Sequence, residues 1–402
     1  MNENRLMILY SPYEELINSY AEEFKNAGSL LVDVTSFYRK HGLRDAQKKL
    51  LKIVKENKIN ILFYAGKSQE FLFPVSFFRE LQKKIFTSMM LTDADHFFDS
   101  RDIYYAQAMD LVICLDQPSR YRFKNYGIDA ISFYSLFNAQ KYVKTNDTRR
   151  DIPVSFVGLV GLKMFRKTYI DYIVSNGIAV DVYGNNSPNG FISKEKMVEV
   201  FNRTKINLNF TGMSTMTTIG KELNIQKLRR QMKGRIAEIA LCGGFVLSDY
   251  ASGMEEVFEI DKEIVVFSSK EEMLEKIKYY IDHDDEREEI AARGYERAQK
   301  DYDTHEAIPR LVRILYEAKQ RKQHKVIREL VSDRHFEKNY ATYRFEMCVV
   351  FLRNRMFKLA WLELLEIMKI RRLNFSRVLR IIMSNLFPRM REMYRVRIGK
   401  KY

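Results

Sequence analysis

Short apolar runs alternate with amphipathic helical stretches along most of the 402-residue chain. Between the runs lie helical patterns such as "GLRDAQKKLLKIVKENK". Strands that alternate with helices of this length predict βαβ units around a mainly parallel sheet. The strand-like runs of the first part are "RLMILYS" (5–11), "SLLVDVT" (29–35), "INILFYAG" (59–66), "FTSMMLTDAD" (86–95), "MDLVICLD" (109–116) and "GIDAISFY" (127–134).

The alternation stops at the polar segment "KTNDTRRDIP" (144–153) and then restarts. The second set of runs is "VSFVGLVG", "IAVDVYGNN", "KINLNFTG", "GGFVLSDY" and "KEIVVFSS", and Ser269 with Glu272 forms a capping box at the start of the next helix. Beyond residue 320 every pattern is helical. We therefore predict an α/β domain at 1–148, a second α/β domain at 149–320 and a helical extension at 321–402.

Almost all of the net charge of +15 lies in the C-terminal extension. Residues 321–402 contain 21 Lys or Arg and 7 Asp or Glu, whereas the first 320 residues contain 46 and 45. Apolar residues recur there at helical spacing, with basic residues between them. This pattern predicts a helical hairpin packed on the core, and a basic face of such a hairpin could also dock on an anionic membrane. No recognition motif accompanies the charge, so a nucleic-acid partner is disfavoured.

The sequence favours a cytoplasmic protein, with peripheral attachment to the inner face of the membrane as an option. Its three cysteines form no C-x-x-C pair, the N-terminus lacks the features of a signal peptide, and no apolar run is long enough to span a bilayer. G-x-G-x-x-G, Walker and H-x-x-x-H patterns are also missing. We therefore expect no bound dinucleotide, P-loop or zinc chemistry.

The segment "QMKGRIAEIALCGGFVLSDY" (231–250) carries the candidate chemistry. Arg235 and Glu238 are three residues apart on a short helix, a spacing that allows a simple helix salt bridge. The other interpretation is an anion and ribose site. In that case the helix N-terminus with Lys233 would hold a diphosphate, and Glu238 would accept hydrogen bonds from sugar hydroxyls.

Six ordered blocks between about 153 and 315 resemble the C-terminal domain of group-1 glycosyltransferases, in particular the CgeB-like branch. They are "VSFVGLVGLKMFR", "VDVYGNN", "KINLNF", "QMKGRIAEIALCGGFVLSDY", "GMEEVFEIDKEIVVF" and "REEIAARGYERA". The N-terminal half is similar only through "MMLTDADHFF" and "MDLVICLDQPSRYRFKNYG", and the chain beyond residue 320 has no counterpart.

This resemblance implies a GT-B fold, in which two Rossmann-like domains with parallel sheets face each other across a cleft. It also implies a glycosyltransferase that moves a sugar from a nucleoside-diphosphate-sugar donor to an acceptor hydroxyl. The acceptor would be a cell-envelope glycan, a lipid-linked intermediate or a protein. The donor is a substrate, and the resemblance implies neither a cofactor nor a required metal ion.

The resemblance assigns donor contacts residue by residue. Glu238 matches the glutamate expected at the donor ribose, and the basic positions near the diphosphate are Lys233 and Arg235. The first turn of the domain contributes Gly158 and Arg166, and Gly184, after "VDVY", is a further donor-contact candidate. Relatives with a full Glu-x7-Glu motif carry an acid eight residues before this glutamate, where this chain has Arg230. The donor sugar and the anomeric outcome therefore stay open.

The acceptor side has one candidate cluster, Asp93, Asp95 and His96, in a loop after a strand. We predict that one of these three deprotonates the acceptor hydroxyl. An alternative is a metal-dependent transferase in which Asp93 and Asp95 bind a divalent ion. A second alternative is a non-catalytic binding scaffold that keeps the transferase fold, and Arg230 in place of an acid is the feature that favours it.

Overall fold

The structure is a computed structural model. It describes residues 4–10, 15–65, 73–92, 98–134, 137–145, 149–160, 164–185, 187–212, 230–322, 334–353 and 355–370. Two separate sheets, both wholly parallel, organise these residues, as the alternating sequence pattern predicts.

The first sheet has six strands in the order β2-β1-β3-β4-β5-β6. Its strands are β1 (Leu6–Tyr10), β2 (Leu30–Asp33), β3 (Ile61–Ala65), β4 (Phe86–Leu91), β5 (Leu111–Cys114) and β6 (Ala130–Ser132). Helices cover both faces, so successive residues of one strand enter different cores. Met7 and Leu9 enter the core on one face, while Leu6 and Ile8 enter the core on the other.

The helices of this domain are α1 (Glu15–Asn26), α2 (Val34–Glu56), α3 (Val75–Gln82), α4 (Ile103–Ala106) and α5 (Gln117–Asn125), with a π-helical turn at Phe98–Asp102. Side-chain caps fix where two of them begin. The Asp33 carboxylate accepts hydrogen bonds from the amides of Thr35 and Ser36 at α2, and Asp116 accepts from the Ser119 amide at α5.

The second sheet has five strands in the order β11-β10-β9-β7-β8. Its strands are β7 (Ile152–Val157), β8 (Asp181–Tyr183), β9 (Thr204–Asn209), β10 (Val246–Asp249) and β11 (Val265–Phe267). Its helices are α6 (Met164–Ser175), α7 (Lys194–Arg203), α8 (Arg235–Leu241), α9 (Lys270–Asp282) and α10 (Asp284–Tyr302), with a 3₁₀ turn at Met254–Glu256. The predicted start of α9 is confirmed, because Ser269 Oγ accepts a hydrogen bond from the Glu272 amide at 3.1 Å.

After α10 the chain crosses back to the first domain. Helix α11 (Thr304–Arg321) buries Ala307, Ile308 and Leu311 in the core beneath β1 and β3. The sequence pattern predicts that residues 304–320 belong to the second domain. The apolar face of α11 packs instead on the first sheet, so the polypeptide of the first domain is discontinuous.

Two further helices, α12 (Arg334–Arg353) and α13 (Phe357–Ile370), form the helical hairpin that was predicted for the extension. The hairpin packs on the opposite face of the first sheet, where Tyr343, Met347 and Phe351 join the core that contains Met7 and Leu9. No helix within the described ranges is long and apolar enough to cross a bilayer.

Candidate functional site

A cleft of about 340 Å³ opens at the carboxyl ends of β7 and β8. Open parallel sheets bind ligands at this edge because several strands end there and their loops converge. Four residues singled out from the sequence, Gly158, Gly184, Arg235 and Glu238, line this cleft together. We call it the β7–β8 cleft.

Gly158 and Gly184 bring two loop backbones into direct contact. The Gly158 amide donates to the Tyr183 carbonyl at 2.9 Å. Gly184 has a φ of 134°, and a Cβ at this position would lie only 2.3 Å from the Gly158 carbonyl oxygen. Glycine is therefore required at residue 184 by both its backbone angle and its neighbour.

Glu238 lies one turn into α8 and reaches the wall of the cleft with a side chain that is 18% exposed. Its Oε2 pairs with Arg235 Nη1 at 2.6 Å, so the predicted helix salt bridge is present. Its Oε1 accepts a hydrogen bond from the Tyr142 hydroxyl at 2.8 Å. A carboxylate has about four acceptor positions, so both oxygens can still accept bonds from a ligand.

Arg235 is held against the cleft wall by three partners. Besides Glu238, its guanidinium contacts Met197 Sδ and lies 5.5 Å from the centre of the Phe201 ring. Helix α7 supplies both of these contacts. The orientation of Arg235 is therefore fixed by packing between α7 and α8.

Two further cleft residues were not found from the sequence. Tyr142 comes from the linker between the domains, and Lys194 from the first turn of α7, with Lys194 Nζ 4.5 Å from the Tyr142 ring centre. Ser193 caps α7, because its hydroxyl accepts a hydrogen bond from the Lys196 amide. This cap was the local signal that could have placed Lys194 at the start of a helix. No local pattern identifies Tyr142.

Lys233 lies in the junction between the domains. Its Nζ donates to Gln231 Oε1 at 2.9 Å, and Gln231 Nε2 donates to Asp116 Oδ1 of the first domain at 3.2 Å. The Lys233 carbonyl accepts from the Tyr134 hydroxyl at 2.8 Å. The structure therefore brings Arg235 and Glu238 together in the β7–β8 cleft and directs Lys233 toward the first domain.

Arg166 is buried beneath the loop that follows β7. Its guanidinium donates to the carbonyls of Leu159 at 3.1 Å and Phe210 at 3.0 Å. Burial lowers the pKa of Arg166 to about 10, although the nearby Asp249 carboxylate opposes this change. Because Leu159 lines the cleft, Arg166 fixes the shape of the cleft floor from below.

Arg230, at the position where relatives carry an acid, lies near the end of β10. Its Nη1 donates to the Tyr250 carbonyl at 3.1 Å and lies 3.9 Å from Asp249 Oδ2. Burial raises the pKa of Asp249, while the Thr211 amide, Arg230 and Arg166 act in the opposite direction. An acid is therefore present beside this site, but it comes from β10.

The acceptor-side candidates Asp93, Asp95 and His96 lie outside the described residues. Their roles stay predictions. Within the described ranges, no group of three His, Cys, Asp or Glu side chains could share a metal ion.

A second cavity, of about 300 Å³, lies between the two domains. Gln117 and Phe133 line it from the first domain, and Gly253 and Glu256 line it from the second. A Cβ on Gly253 would lie 2.6 Å from Gln117 Cγ, so the two domains are in close contact here. The carboxyl ends of β5 and β10 thus face each other across an interdomain cleft.

A family model of known proteins matches the segment that contains the wall of the β7–β8 cleft. Residues 166–313 match the family model Glyco_trans_1_2, described as "Glycosyl transferase-like". Over this segment the chain is similar to glycosyl transferase-like proteins. The matched segment contains Gly184, Lys233, Arg235 and Glu238 and begins at Arg166. No curated protein matches the chain.

Solved glycosyltransferase structures share the two-domain architecture of this chain. Anabaena HepE in complex with UDP superposes with a TM-score of 0.57 at 13% identity, covering 78% of this chain and 100% of that one. Sucrose-phosphate synthase from Thermosynechococcus elongatus gives 0.53 at 10% identity, with coverage of 78% and 100%. A glycosyltransferase from Rickettsia africae gives 0.52 at 10% identity, with coverage of 80% and 100%. The predicted GT-B fold is confirmed.

Proposed function

We propose that this protein transfers a sugar from a nucleoside-diphosphate-sugar donor to an acceptor hydroxyl. The observation that carries the proposal is the β7–β8 cleft, where the Glu238 carboxylate and the Arg235 guanidinium share one wall. This wall belongs to the segment that matches the glycosyl transferase-like model.

The donor nucleoside would occupy the β7–β8 cleft. Ribose hydroxyls would donate to Glu238, whose position is fixed by Arg235 and Tyr142. Val157, Ile192 and Met197 give the base an apolar surface. Structures of HepE contain UDP, UDP with glucose, or UDP-glucose, so UDP is the first nucleotide to test.

In the proposed reaction, the bond between the anomeric carbon and the diphosphate oxygen breaks, and the diphosphate leaves with the electron pair. The acceptor oxygen forms the new bond to the anomeric carbon and loses its proton to a base, for which we propose Asp93, Asp95 or His96. Arg235 and Lys233 would stabilise the departing diphosphate without a required metal ion. Arg166 would contribute by fixing the Leu159 backbone with its hydrogen bond.

We further propose that the chain belongs to the CgeB-like branch. Its acceptor would be a cell-envelope glycan, a lipid-linked intermediate or a protein, and it would act at the cytoplasmic face of a membrane. The basic extension is the feature that supports the membrane location, since it holds 21 of the 67 Lys and Arg residues of the chain.

One observation favours a second candidate, a non-catalytic scaffold with this fold. Arg230 occupies the acid position of the Glu-x7-Glu motif and is engaged by the Tyr250 carbonyl and Asp249. Such a scaffold would keep the Arg235–Glu238 pair as a structural salt bridge. It would bind no donor nucleotide.

Thermal unfolding with UDP, GDP, CDP, dTDP or ADP separates these candidates, with manganese or EDTA in parallel samples. A ligand that binds only the folded protein at 100 times its Kd stabilises it by about 2.7 kcal/mol and raises the midpoint. We expect one nucleotide to stabilise the wild type equally in EDTA and to have no effect on Glu238→Ala. Glu289→Ala is the matched control, because Glu289 also pairs with an arginine on a helix but is 62% exposed.

Each contrary result has a defined meaning. If no nucleotide at millimolar concentration shifts the wild type, the donor site is wrong and the scaffold remains. A shift that requires manganese would favour the metal-dependent alternative with Asp93 and Asp95. If the nucleotide raises the unfolding midpoint of Glu238→Ala and Glu289→Ala equally, Glu238 does not bind the donor.

A further inference from the structure

The α12–α13 hairpin is held on the first domain in one orientation. Arg344 Nε of α12 and Glu363 Oε2 of α13 lie 2.8 Å apart in a pair that is almost wholly buried. Tyr340 stacks on Tyr104 with ring centres 4.6 Å apart. On α13, the residues that face the core are Ala360, Glu363 and Ile367. A side of α13 adjoining these buried residues is therefore fixed outward.

That outward side carries large apolar residues. Phe357 is 57% exposed, Trp361 59% and Met368 50%. Their spacings of four and seven residues place them on one face of the helix. We call these three residues the α13 outer stripe. Met356, which is 49% exposed, directly precedes the stripe.

Positive charge lies beside the first residue of the α13 outer stripe, and the sequence after α13 is basic. Arg355 and Lys358 are exposed beside its first residue. The sequence that follows α13, residues 371–402, contains ten Lys or Arg and one Glu. The first 320 residues are nearly neutral, with 46 basic and 45 acidic residues. Two exposed cationic side chains thus lie beside the exposed aromatic residues of α13, and the sequence after the helix is also basic.

We propose that the α13 outer stripe is a docking surface for an anionic phospholipid bilayer. Aromatic side chains, tryptophan above all, favour the boundary between lipid headgroups and acyl chains. Basic residues near an anionic surface add electrostatic attraction. An apolar helix face beside basic residues is the pattern of helices that lie in this boundary. The rigid packing of α12 and α13 on the first domain would orient the whole molecule on the membrane.

The only tryptophan of the chain lies in this stripe, so its fluorescence reports on the surface directly. The experiment uses the full-length protein and vesicles of phosphatidylcholine, with or without phosphatidylglycerol. Without vesicles, Trp361 should emit at long wavelength and be quenched by acrylamide. Vesicles with phosphatidylglycerol should shift the emission to shorter wavelength and protect it from acrylamide, and pure phosphatidylcholine should have little effect. Raising the salt concentration should weaken the effect because salt screens the attraction.

Variants identify the residues responsible. Phe357→Ser should weaken binding to anionic vesicles by about tenfold or more, since burying one large apolar side chain contributes about 1.5–3 kcal/mol. Val174→Ser is the control, because Val174 is an apolar residue of α6 that is 53% exposed in the second domain. This variant should bind like the wild type. Both variants change surface residues, so circular dichroism should report an unchanged fold.

Three results would overturn the proposal. Short-wavelength, acrylamide-protected emission without vesicles would mean that the chain itself covers the stripe. An emission shift that depends on protein concentration alone would mean that a second copy covers it. Long-wavelength emission that anionic vesicles leave unchanged would mean that no bilayer binds there. None of these measurements involves the β7–β8 cleft, so they are independent of the proposed sugar transfer.

Discussion

Gly184 has a backbone angle that disfavours any side chain, and the Gly158 carbonyl occupies the space that a side chain would need. We expect Gly184→Ala to lower the free energy of unfolding by about 3 kcal/mol, because a Cβ there meets the Gly158 carbonyl in a strained conformation. Gly190→Ala is the control, since Gly190 also has a positive φ of 68° but has open space around its Cβ position. It should cost only about 1–2 kcal/mol. Urea denaturation measures both, and equal losses would contradict the role of the Gly158 contact.

The sequence motifs and the resemblance singled out four residues that the structure brings together, and their donor contacts stay predictions. Gly158, Gly184, Arg235 and Glu238 each belong to a short motif at the end of a strand or the start of a helix, and all four line the cleft. Tyr142 could not be predicted, because it reaches Glu238 from 96 residues away along the chain. Its contact is produced by tertiary packing, which leaves no local sequence pattern.

At the scale of elements, each of the eleven strands in the described ranges lies within or overlaps one of the strand-like runs of the sequence. Parallel strands covered on both faces are rich in apolar residues, so short apolar runs indicate them. Helices are different. The periodicity of α11 predicts an apolar face but does not say which sheet this face covers, and α11 joins the first domain although it follows the second in sequence.

The buried ion pair between α12 and α13 leads to a prediction about the hairpin. Arg344→Met should lower stability by about 3–5 kcal/mol, because it leaves the Glu363 carboxylate buried without its partner. Arg344→Met combined with Glu363→Leu should recover most of this loss, since no buried charge remains. Thermal unfolding monitored by circular dichroism measures both variants.

The control for this cycle is the Lys196–Glu199 pair of α7, whose side chains are 45% and 44% exposed. Lys196→Met should leave the unfolding midpoint almost unchanged, as exposed pairs contribute little. The prediction about the buried pair is wrong if the double variant is no more stable than Arg344→Met.

At the scale of the whole molecule, Gln231 connects the two domains. It is 3% exposed, and its Nε2 donates to Asp116 Oδ1 and to the Thr92 carbonyl. We expect Gln231→Glu to push the domains apart. Lys233 contacts one oxygen of the new carboxylate, but the other replaces the Nε2 donor and faces the Asp116 carboxylate and the Thr92 carbonyl. The variant should have a larger radius of gyration in small-angle X-ray scattering at neutral pH.

Gln107→Glu provides the control, because Gln107 donates to the Ile103 carbonyl within the first domain and should not alter the distance between domains. An unchanged radius of gyration in Gln231→Glu would mean that other contacts hold the cleft.

The route of the chain through α11 sets the order in which the protein can fold on the ribosome. The residues of β1 to β6 emerge first, with Leu6, Ile8 and Phe63 on a sheet face that α11 later covers. Helix α11 is synthesised only after the entire second domain, which is continuous from Ile152 to Tyr302. The second domain is synthesised after the strands of the first domain, but it can therefore complete its core before the first domain does. During translation, this apolar face of the first sheet stays uncovered until α11 has been synthesised. Exposed apolar surface on a nascent chain is the kind of surface that chaperones bind.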